Sequence, residues 1–353
     1  MNRIDCRAVL LPALLSVLLL GCGSAETGRT SVPAPSAFSG ARSNGSAAQE
    51  AFSRAHRYMD AWLAEADPET GLIPRNLNDD RHLWNAADAA ADNYPFLVLT
   101  AALTDRALFE DRMRRMLRAE RRRTSRLGPL PDTYSFRSDT FTTGEPDLPN
   151  LIFGASEYVK DGLLPLTEWL GPSPWSERMV ELVDGIWARA PIETAYGRIP
   201  AESHEVNGEM LQVLSRLYWM TGRTEMLDRA IHLGDYYLLG DHHPTRDADR
   251  LRLRDHGCEI LSGLVELYAA VSVARPGKKD QYAEPLHAML DRALDVGRNP
   301  DGLFYNEIDP QSGAILDEGL ADALGYTLNA YYTVYQIEST EAYRAAVRTA
   351  LSA

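Results

Sequence analysis

Apolar residues recur at helical spacing through nearly the whole chain after its N-terminal segment, and no stretch keeps strand alternation for long. This pattern predicts an all-α fold in which helices follow one another with short connections. The predicted helices cover residues 49–65, 84–104, 105–124, 149–161, 174–190, 204–221, 224–239, 256–274, 280–297, 318–337 and 340–352. Such a succession indicates five to six helical hairpins.

A turn motif recurs between several of these helices. Each copy places a Gly after turn-forming residues and before an extended apolar pair, as expected for a tight turn that enters a short strand. The copies lie at residues 67–73, 195–200, 299–305 and 309–315. We therefore expect short β-hairpins beside the helices.

The first 22 residues have the layout of an export signal. Arg3 and Arg7 precede an apolar run at 8–20, and the run ends in Leu-Leu-Gly-Cys22. That ending resembles the bacterial lipobox, which implies a lipoprotein signal peptide at 1–21 and acylation of Cys22. The alternative is an ordinary secretory signal with an incidental cysteine. The resemblance implies a bacterial cell-envelope protein that contacts a lipid bilayer only through its acylated N-terminus.

The segment that follows, 22–48, consists mainly of Ser, Gly, Ala, Thr and Pro and has almost no large apolar residue. Such a segment buries too little surface to fold, so we expect a flexible tether. The folded catalytic domain is expected to cover 49–353.

Charge narrows the classes of partner. The formal net charge is −14, which argues against nucleic acid as a partner through general electrostatics. The Arg-rich helix near 112–126 fits an outer, solvated helix without interleaved aromatic residues. If Cys6 leaves with the signal and Cys22 is acylated, Cys258 has no disulfide partner.

Carboxylates occur in pairs one helical turn apart near the starts of predicted apolar helices. Like charges at i and i+4 repel, so a helix gains no stability from repeating this arrangement. The simplest explanation is a shared acidic pocket. The four stretches are Trp84-Asn85…Asp88…Asp92, His204-Glu205…Asn207…Glu209, Asp255-His256…Glu259 and Glu318…Asp322.

The helix succession, the turns of the type Asp-Pro-x-x-Gly and the acidic helix starts together resemble the (α/α)6 toroid superfamily of carbohydrate-active enzymes, the six-hairpin glycosidases and related polysaccharide lyases. The resemblance covers about 49–353 and implies a cleft formed by the N-terminal ends of the inner helices, with β-hairpin loops at its face. The eleventh helix leaves the sixth hairpin incomplete unless the helix at 49–65 closes the ring.

Candidate catalytic residues are the acids of these helix starts: Asp88, Asp92, Glu209, Asp255 and Asp322. Candidate saccharide-binding residues stand beside them or in the long segment 127–149: Trp84, Asn85, Tyr134, Arg137, His204, Glu205, Asn207, His256, Glu259 and Tyr326. Competing interpretations are helix caps for Asp255 and Ser203, a solvated face for the Asp88 pair, and core packing for Tyr326.

The leading hypothesis is hydrolysis of an oligo- or polysaccharide, or of an unsaturated uronyl sugar. An inverting pair of carboxyls stands about 6.5–9.5 Å apart, so acid and base are expected on different inner helices. One alternative is a polysaccharide lyase with a Tyr or His base and Asn or Arg neutralising the uronate. Another is a non-catalytic glycan-binding lipoprotein. His204-Glu205 lacks the second His of HExxH, and no metal or cofactor is expected.

Overall fold

The computed structural model describes residues 35–353, and helices follow one another along most of this range. The signal peptide, Cys22 and the first part of the expected tether lie outside the described residues. The chain divides into two compact units. The described residues of the first unit, 35–51, are helical, and the second unit is Phe52–Ala353.

The helices occur in a regular order along the chain. The α-helices are α1 (Pro35–Ala64), α2 (Tyr94–Thr104), α3 (Arg106–Leu108), α4 (Arg114–Arg123), α5 (Leu148–Glu157), α6 (Leu164–Leu170), α7 (Pro174–Arg189), α8 (His204–Thr221), α9 (Thr224–Gly234), α10 (Glu259–Ala274), α11 (Pro276–Val296), α12 (Leu324–Glu338) and α13 (Glu341–Ala350). π-Helical segments, Ala86–Asn93, Phe109–Met113, Tyr158–Leu163 and Asp235–Leu239, and the 3-10 turn Asp255–Cys258 adjoin them.

Short antiparallel strands connect the helices. They are β1 (Leu83–Trp84), β2 (Ser125–Leu127), β3 (Leu130–Pro131), β4 (Tyr134–Ser135), β5 (Thr140–Phe141), β6 (Ile192–Thr194), β7 (Gly197–Ile199), β8 (Leu251–Arg252), β9 (Tyr305–Ile308) and β10 (Ile315–Leu320). The sheet orders are β1-β4-β5 and β10-β9-β8, with two further pairs, β2-β3 and β6-β7. The turn glycines have positive φ, as the recurring motif predicts: Gly71, Gly197, Gly302 and Gly313.

Inner and outer helices alternate within the second unit. The segment Ala86–Asn93 packs on Tyr158–Leu163 and on α5, α5 packs on α8, α8 on α10, and α10 on α12. The outer helices α7, α9, α11 and α13 pack behind them. This is the hairpin arrangement of an (α/α)6 toroid, and it confirms the predicted fold class. The second half of α1 packs beside α2, where the Tyr58 and Phe96 rings are 4.9 Å apart.

The inner helices are apolar because they are surrounded by protein. The stretch Asp255–Ala274 has a mean hydropathy of 1.4 and is long enough to cross a membrane, yet 72% of it is buried inside the fold. Burial in the core accounts for its composition. The neighbouring α8 is buried continuously from Val206 to Ser215.

Two glycines set the distance between α8 and α10. A Cβ on Gly208 would lie 2.3 Å from the backbone carbon of Glu259, and one on Gly263 would lie 2.4 Å from the Gly208 carbonyl oxygen. The two backbones therefore touch directly. This close approach fixes the relative height of the residues that each helix presents at its N-terminal end.

Several boundaries differ from the prediction. The segment 318–320 belongs to β10, and the following helix begins at Leu324, so Glu318 and Asp322 are not a helical pair. The segment 315–320 pairs with β9, and this pairing outweighs the helical spacing. A further helix, α6, continues beyond the predicted end at 161. The segment 127–149, expected to have little regular structure, contains parts of two small sheets.

The start of α1 is another difference. The helix begins at Pro35, within the segment expected to be a flexible tether up to 48. Residues 38–54 of α1 are exposed, so this part of the helix forms without burial in a core. Low burial alone does not exclude a helix here, because local backbone hydrogen bonds maintain a segment rich in Ala, the residue with the highest helix propensity.

Replacing Gly263 with Ala is expected to destabilise the fold. The added methyl group would overlap the α8 backbone, and overpacking of this kind costs roughly 1–3 kcal/mol. Urea denaturation followed by circular dichroism measures the change. Gly277→Ala in α11, where the added Cβ meets open space, is the control and should leave stability equal or about 0.4–1 kcal/mol higher. Equal stability of the two variants would contradict the close packing.

A carboxylate at the end of α12 makes stability depend on pH. Burial alone would raise the pKa of Glu338, but hydrogen bonds from Lys279, Tyr268 and His287 outweigh it and lower this pKa to about 2. The Lys279 Nζ lies 2.8 Å and the His287 Nε2 2.7 Å from the carboxylate. Because the folded pKa is below the ordinary value of 4.5, the stabilisation is complete above about pH 4.5.

The contribution of Glu338 to the unfolding free energy is expected to fall as the pH drops from about 4.5 towards 2. Glu338→Gln should lower the unfolding free energy at pH 7 by about 1–2 kcal/mol and flatten this acid limb. Unfolding free energies measured between pH 7 and 2.5 test this. Glu341→Gln, on an exposed carboxylate of α13, is the control. Parallel pH profiles for wild type and Glu338→Gln would contradict the assignment.

Candidate active site

Three inner helices bring acids and an imidazole to one point. Glu157 ends α5, and Asp161 follows in the π-helical segment Tyr158–Leu163. Glu209 lies in the second turn of α8, and His256 lies in the 3-10 turn before α10. One donor atom from each of these four residues lies within 4.8 Å of the others. We call this set the acidic cluster.

The imidazole of His256 faces the carboxylates. Its Nδ1 lies 3.8 Å from Glu209 Oε1 and 3.9 Å from both Glu157 Oε1 and Asp161 Oδ2. The opposite ring nitrogen, Nε2, lies 3.7 Å from Asp255 Oδ1. The His256 side chain is 34% exposed, so the imidazole forms the outer edge of the acidic cluster.

The interior of the acidic cluster is buried and short of hydrogen-bond partners. The Glu209 side chain is 0% exposed, and both of its carboxylate oxygens, like Asp161 Oδ2, are buried without a hydrogen-bond partner. Burial, then the charge of Glu157, raises the pKa of Glu209. Burial also raises the pKa of Glu157 to about 7, against a lowering influence from His256. These shifts mean that burial and mutual repulsion disfavour a negative charge on both carboxyls.

A buried ion pair, Lys160 with Glu259, adjoins the acidic cluster through Asp161. Lys160 Nζ lies 2.5 Å from Glu259 Oε1, 2.8 Å from Asp161 Oδ1 and 3.0 Å from the hydroxyl of Tyr326. Gln212 of α8 donates to the other oxygen of Glu259. Burial alone would lower the pKa of Lys160, but Glu259 and Asp161 outweigh it and raise this pKa. The network links α8, α10 and α12 to the segment that carries Asp161.

Five residues singled out from the sequence meet at or beside the acidic cluster. Glu209 and His256 belong to it, Glu259 and Tyr326 bind Lys160, and Glu205 is close enough for its charge to raise the pKa of Glu157. Tyr326 is 39% exposed and stays available to a ligand. Their roles as substrate or catalytic residues remain predictions.

The Asp88 pair lies at the next inner segment, Ala86–Asn93. Asp88 accepts from Asn85 at 2.6 Å and pairs with Arg75 at 3.0 Å, while the Asn85 side chain caps the segment. Asp92 is exposed as a residue. Desolvation of its carboxyl, followed by the charges of Asp161 and Asp88, raises its pKa. Asp92 is thus the member of this pair that lies near the acidic cluster.

Asp255 and Asp322 lie at the rim. The backbone N–H of Asp255 donates to Asp322 Oδ1 at 2.7 Å, and this bond lowers the pKa of Asp322. Asp255 itself pairs with Arg252 at 2.9 Å. Its φ of 52° is left-handed, so Asp255 is not the extended N-cap considered from the sequence.

Other predicted contacts are turned inward. Trp84 is 2% and Tyr134 3% exposed, so neither of these candidate saccharide-binding residues presents a ring face at the surface. Trp84 packs in the core, and the Tyr134 hydroxyl donates to Asp139. Arg137 is exposed on the segment after β4.

Two candidate binding residues at the start of α8, His204 and Asn207, make packing and hydrogen-bond contacts within the fold. Asn207 is buried and donates to the Ala201 carbonyl at 2.7 Å and to the Tyr237 hydroxyl at 2.9 Å. His204 packs edge-on against Tyr237, and burial lowers its pKa. Asn207 therefore holds the loop in front of α8.

The sequence patterns did not indicate three residues of this site: Glu157, Lys160 and Asp161. Glu157 and Asp161 have the same i, i+4 spacing as the pairs singled out. They stand at the end of the predicted helix 149–161, whereas the pairs singled out stand near predicted helix starts. The helix in fact continues through the π-helical segment into α6, which places the pair midway along an inner helix.

Comparison with known proteins identifies the fold. No family model matches the chain, and no curated protein matches its sequence. Solved structures do match. A sugar epimerase from a ruminal bacterium has a TM-score of 0.52 at 10% identity, covering 85% of each chain. A D-mannose isomerase has a TM-score of 0.50 at 14% identity, covering 84% of each chain.

A cellobiose 2-epimerase from Bacillus thermoamylovorans has a TM-score of 0.50 at 10% identity and covers 86% of this chain and 87% of its own. All three are (α/α)6 toroid enzymes that process carbohydrates. At these identities the likeness establishes the fold alone. It confirms the toroid expected from the sequence.

Removing one partner of the buried ion pair should lower the unfolding free energy substantially. Lys160→Met would leave the Glu259 charge buried without compensation, so we expect a loss of roughly 3–5 kcal/mol in unfolding free energy. The double variant Lys160→Met/Glu259→Gln, which removes both charges, should recover part of this loss. Chemical denaturation of the three proteins tests it. A double variant no more stable than Lys160→Met would show that the charge pair is not the cause.

Proposed function

We propose that this chain is an enzyme that isomerises or epimerises a sugar by moving a proton at the acidic cluster. The observation that carries the proposal is the meeting of three carboxylates and an imidazole from three inner helices within 4.8 Å. Groups of these types act as general acids and bases when they lie within reach of a substrate proton. The epimerase and isomerase names of the structures that share the fold support a sugar as the substrate.

The spacing of the acidic cluster favours proton transfer over hydrolysis. An inverting glycosidase keeps its two carboxyls about 6.5–9.5 Å apart to admit a water molecule. The donor atoms of the acidic cluster lie closer together than this. A compact group suits transfers at one sugar carbon and at the oxygen beside it.

The exposed edge defines where a sugar would bind. His256 and Asp161 are 34% and 21% exposed, whereas Glu157 and Glu209 lie behind them at 6% and 0%. A sugar would therefore meet the imidazole and Asp161 first. Tyr326, on α12, is partly exposed and can contact the same sugar, although Lys160 Nζ already lies 4.2 Å from its ring centroid.

Glycoside hydrolysis is the second candidate because Asp92 stands on a different inner segment from Asp161. The segment Ala86–Asn93 packs directly on Tyr158–Leu163. Asp92 and Asp161 would then supply the acid and the base from two facing helices. The lipid-anchored envelope location suggested by Cys22 is compatible with either reaction and is part of the proposal.

Incubation with a panel of reducing mono- and disaccharides in D2O, followed by NMR, tests the reaction. We expect a new isomer that carries deuterium at the carbon where the proton is exchanged. Asp161→Asn and His256→Gln should each lower kcat by at least about 100-fold. Glu225→Gln, on the outer helix α9, is the control and should keep wild-type activity.

Other products would contradict the proposal in distinct ways. New reducing ends without isomerisation indicate hydrolysis, and then Asp92→Asn should abolish it. A product of uronate polymers that absorbs in the ultraviolet indicates a lyase. Saccharide binding without turnover across the panel indicates a glycan-binding protein.

A further inference from the structure

We infer that the acidic cluster is a binding site for a first-row transition-metal dication, held by Glu157, Asp161, Glu209 and His256. This departs from the expectation, drawn from sequence motifs, that no metal binds. Ligands around Zn2+ or Mn2+, each about 2.0–2.2 Å from the ion, stand about 3–4 Å from one another. His256 Nδ1 lies 3.8–3.9 Å from one oxygen of each of the three carboxylates. A small contraction around an ion would give coordination distances.

Glu209 supplies an independent indication of a ligand. It is fully buried, points into the acidic cluster, and neither of its oxygens accepts a hydrogen bond. Asp161 Oδ2, at the same point, is also buried without a partner. Leaving such oxygens unsatisfied in the interior is expensive, so these lone pairs call for a cation or another donor.

The neighbouring cationic side chain, Lys160, already has ion-pair partners. Lys160 contacts Glu259 and the other oxygen of Asp161, at 2.5 and 2.8 Å. The ammonium group thus pairs with one carboxylate of the acidic cluster and with Glu259. A dication at the acidic cluster would balance the remaining negative charge.

The donor set indicates which metal fits. Three carboxylates and one imidazole suit Mn2+, Fe2+ or Zn2+, whereas Mg2+ and Ca2+ prefer oxygen donors alone. The Cys258 thiol is not part of the set because it contacts the Asp255 carbonyl oxygen at 3.4 Å. The outer nitrogen of His256, Nε2, lies 3.7 Å from Asp255 Oδ1, which is longer than a hydrogen bond.

The exposed edge would leave coordination positions open to a ligand. Glu157 and Glu209 close the inner side, and His256 and Asp161 border solvent. If the proposed function holds, a sugar hydroxyl or carbonyl oxygen would occupy an open position and be polarised there. Metal binding itself does not depend on that proposal.

The test is metal binding by the full chain after dialysis against a chelator. We expect one equivalent of Zn2+ or Mn2+ by elemental analysis and calorimetry, with a rise in Tm. Asp161→Asn, His256→Gln and Glu209→Gln should each weaken binding by at least about tenfold. Glu225→Gln, on the outer helix α9 away from the acidic cluster, is the control and should bind as wild type does.

Circular dichroism establishes that each variant is folded. Because Glu209→Gln alters a buried site, the partly exposed Asp161 and His256 variants decide the outcome if it does not fold. No stoichiometric binding by folded wild type, or binding that survives Asp161→Asn and His256→Gln, would overturn the inference. Metal binding without turnover would contradict only the proposed function, and turnover that persists in metal-free protein would contradict only the metal role.

Discussion

The direct contact between the α8 and α10 backbones is the constraint on which the site depends. Gly208 and Gly263 leave no room for a Cβ between the two helices. This places Glu209 beside His256 without an intervening layer of side chains. A larger separation would admit water to the interior and let each carboxylate be solvated separately. The chemistry of the acidic cluster is therefore a consequence of backbone packing.

Electrostatics and packing are tied together at the same point. Desolvation makes isolated charges costly, so acids buried in a helical core need partners. Lys160 meets part of this need and also joins four elements through Glu259, Asp161, Tyr326 and, by way of Glu259, Gln212. The contacts that hold the inner helices together are thus continuous with those that surround the acidic cluster.

The fold was largely predictable, and the site was predictable in part. Helical spacing and recurring Gly turns reflect local rules, so they located most helices and the β-hairpins. The pattern failed at Glu318, where pairing with β9 overrides local spacing. Glu209 and His256 were found because they stand at helix starts. Glu157 and Asp161 were missed because their place midway along an inner helix depends on tertiary contacts, and the burial of Trp84 is equally invisible in the sequence.

The π-helical segment Tyr158–Leu163 also determines which side of the following helix, α6, faces the core. A π-turn accommodates one more residue than an α-turn, and such turns are frequent at functional sites. The extra residue sets the rotation of everything that follows, including the core-facing side of α6. Deleting it would regularise the helix but turn Leu164 and Leu166 out of the core. The irregular turn and the buried side of α6 are therefore matched to each other, so the segment cannot lose one residue without repacking of the core behind it.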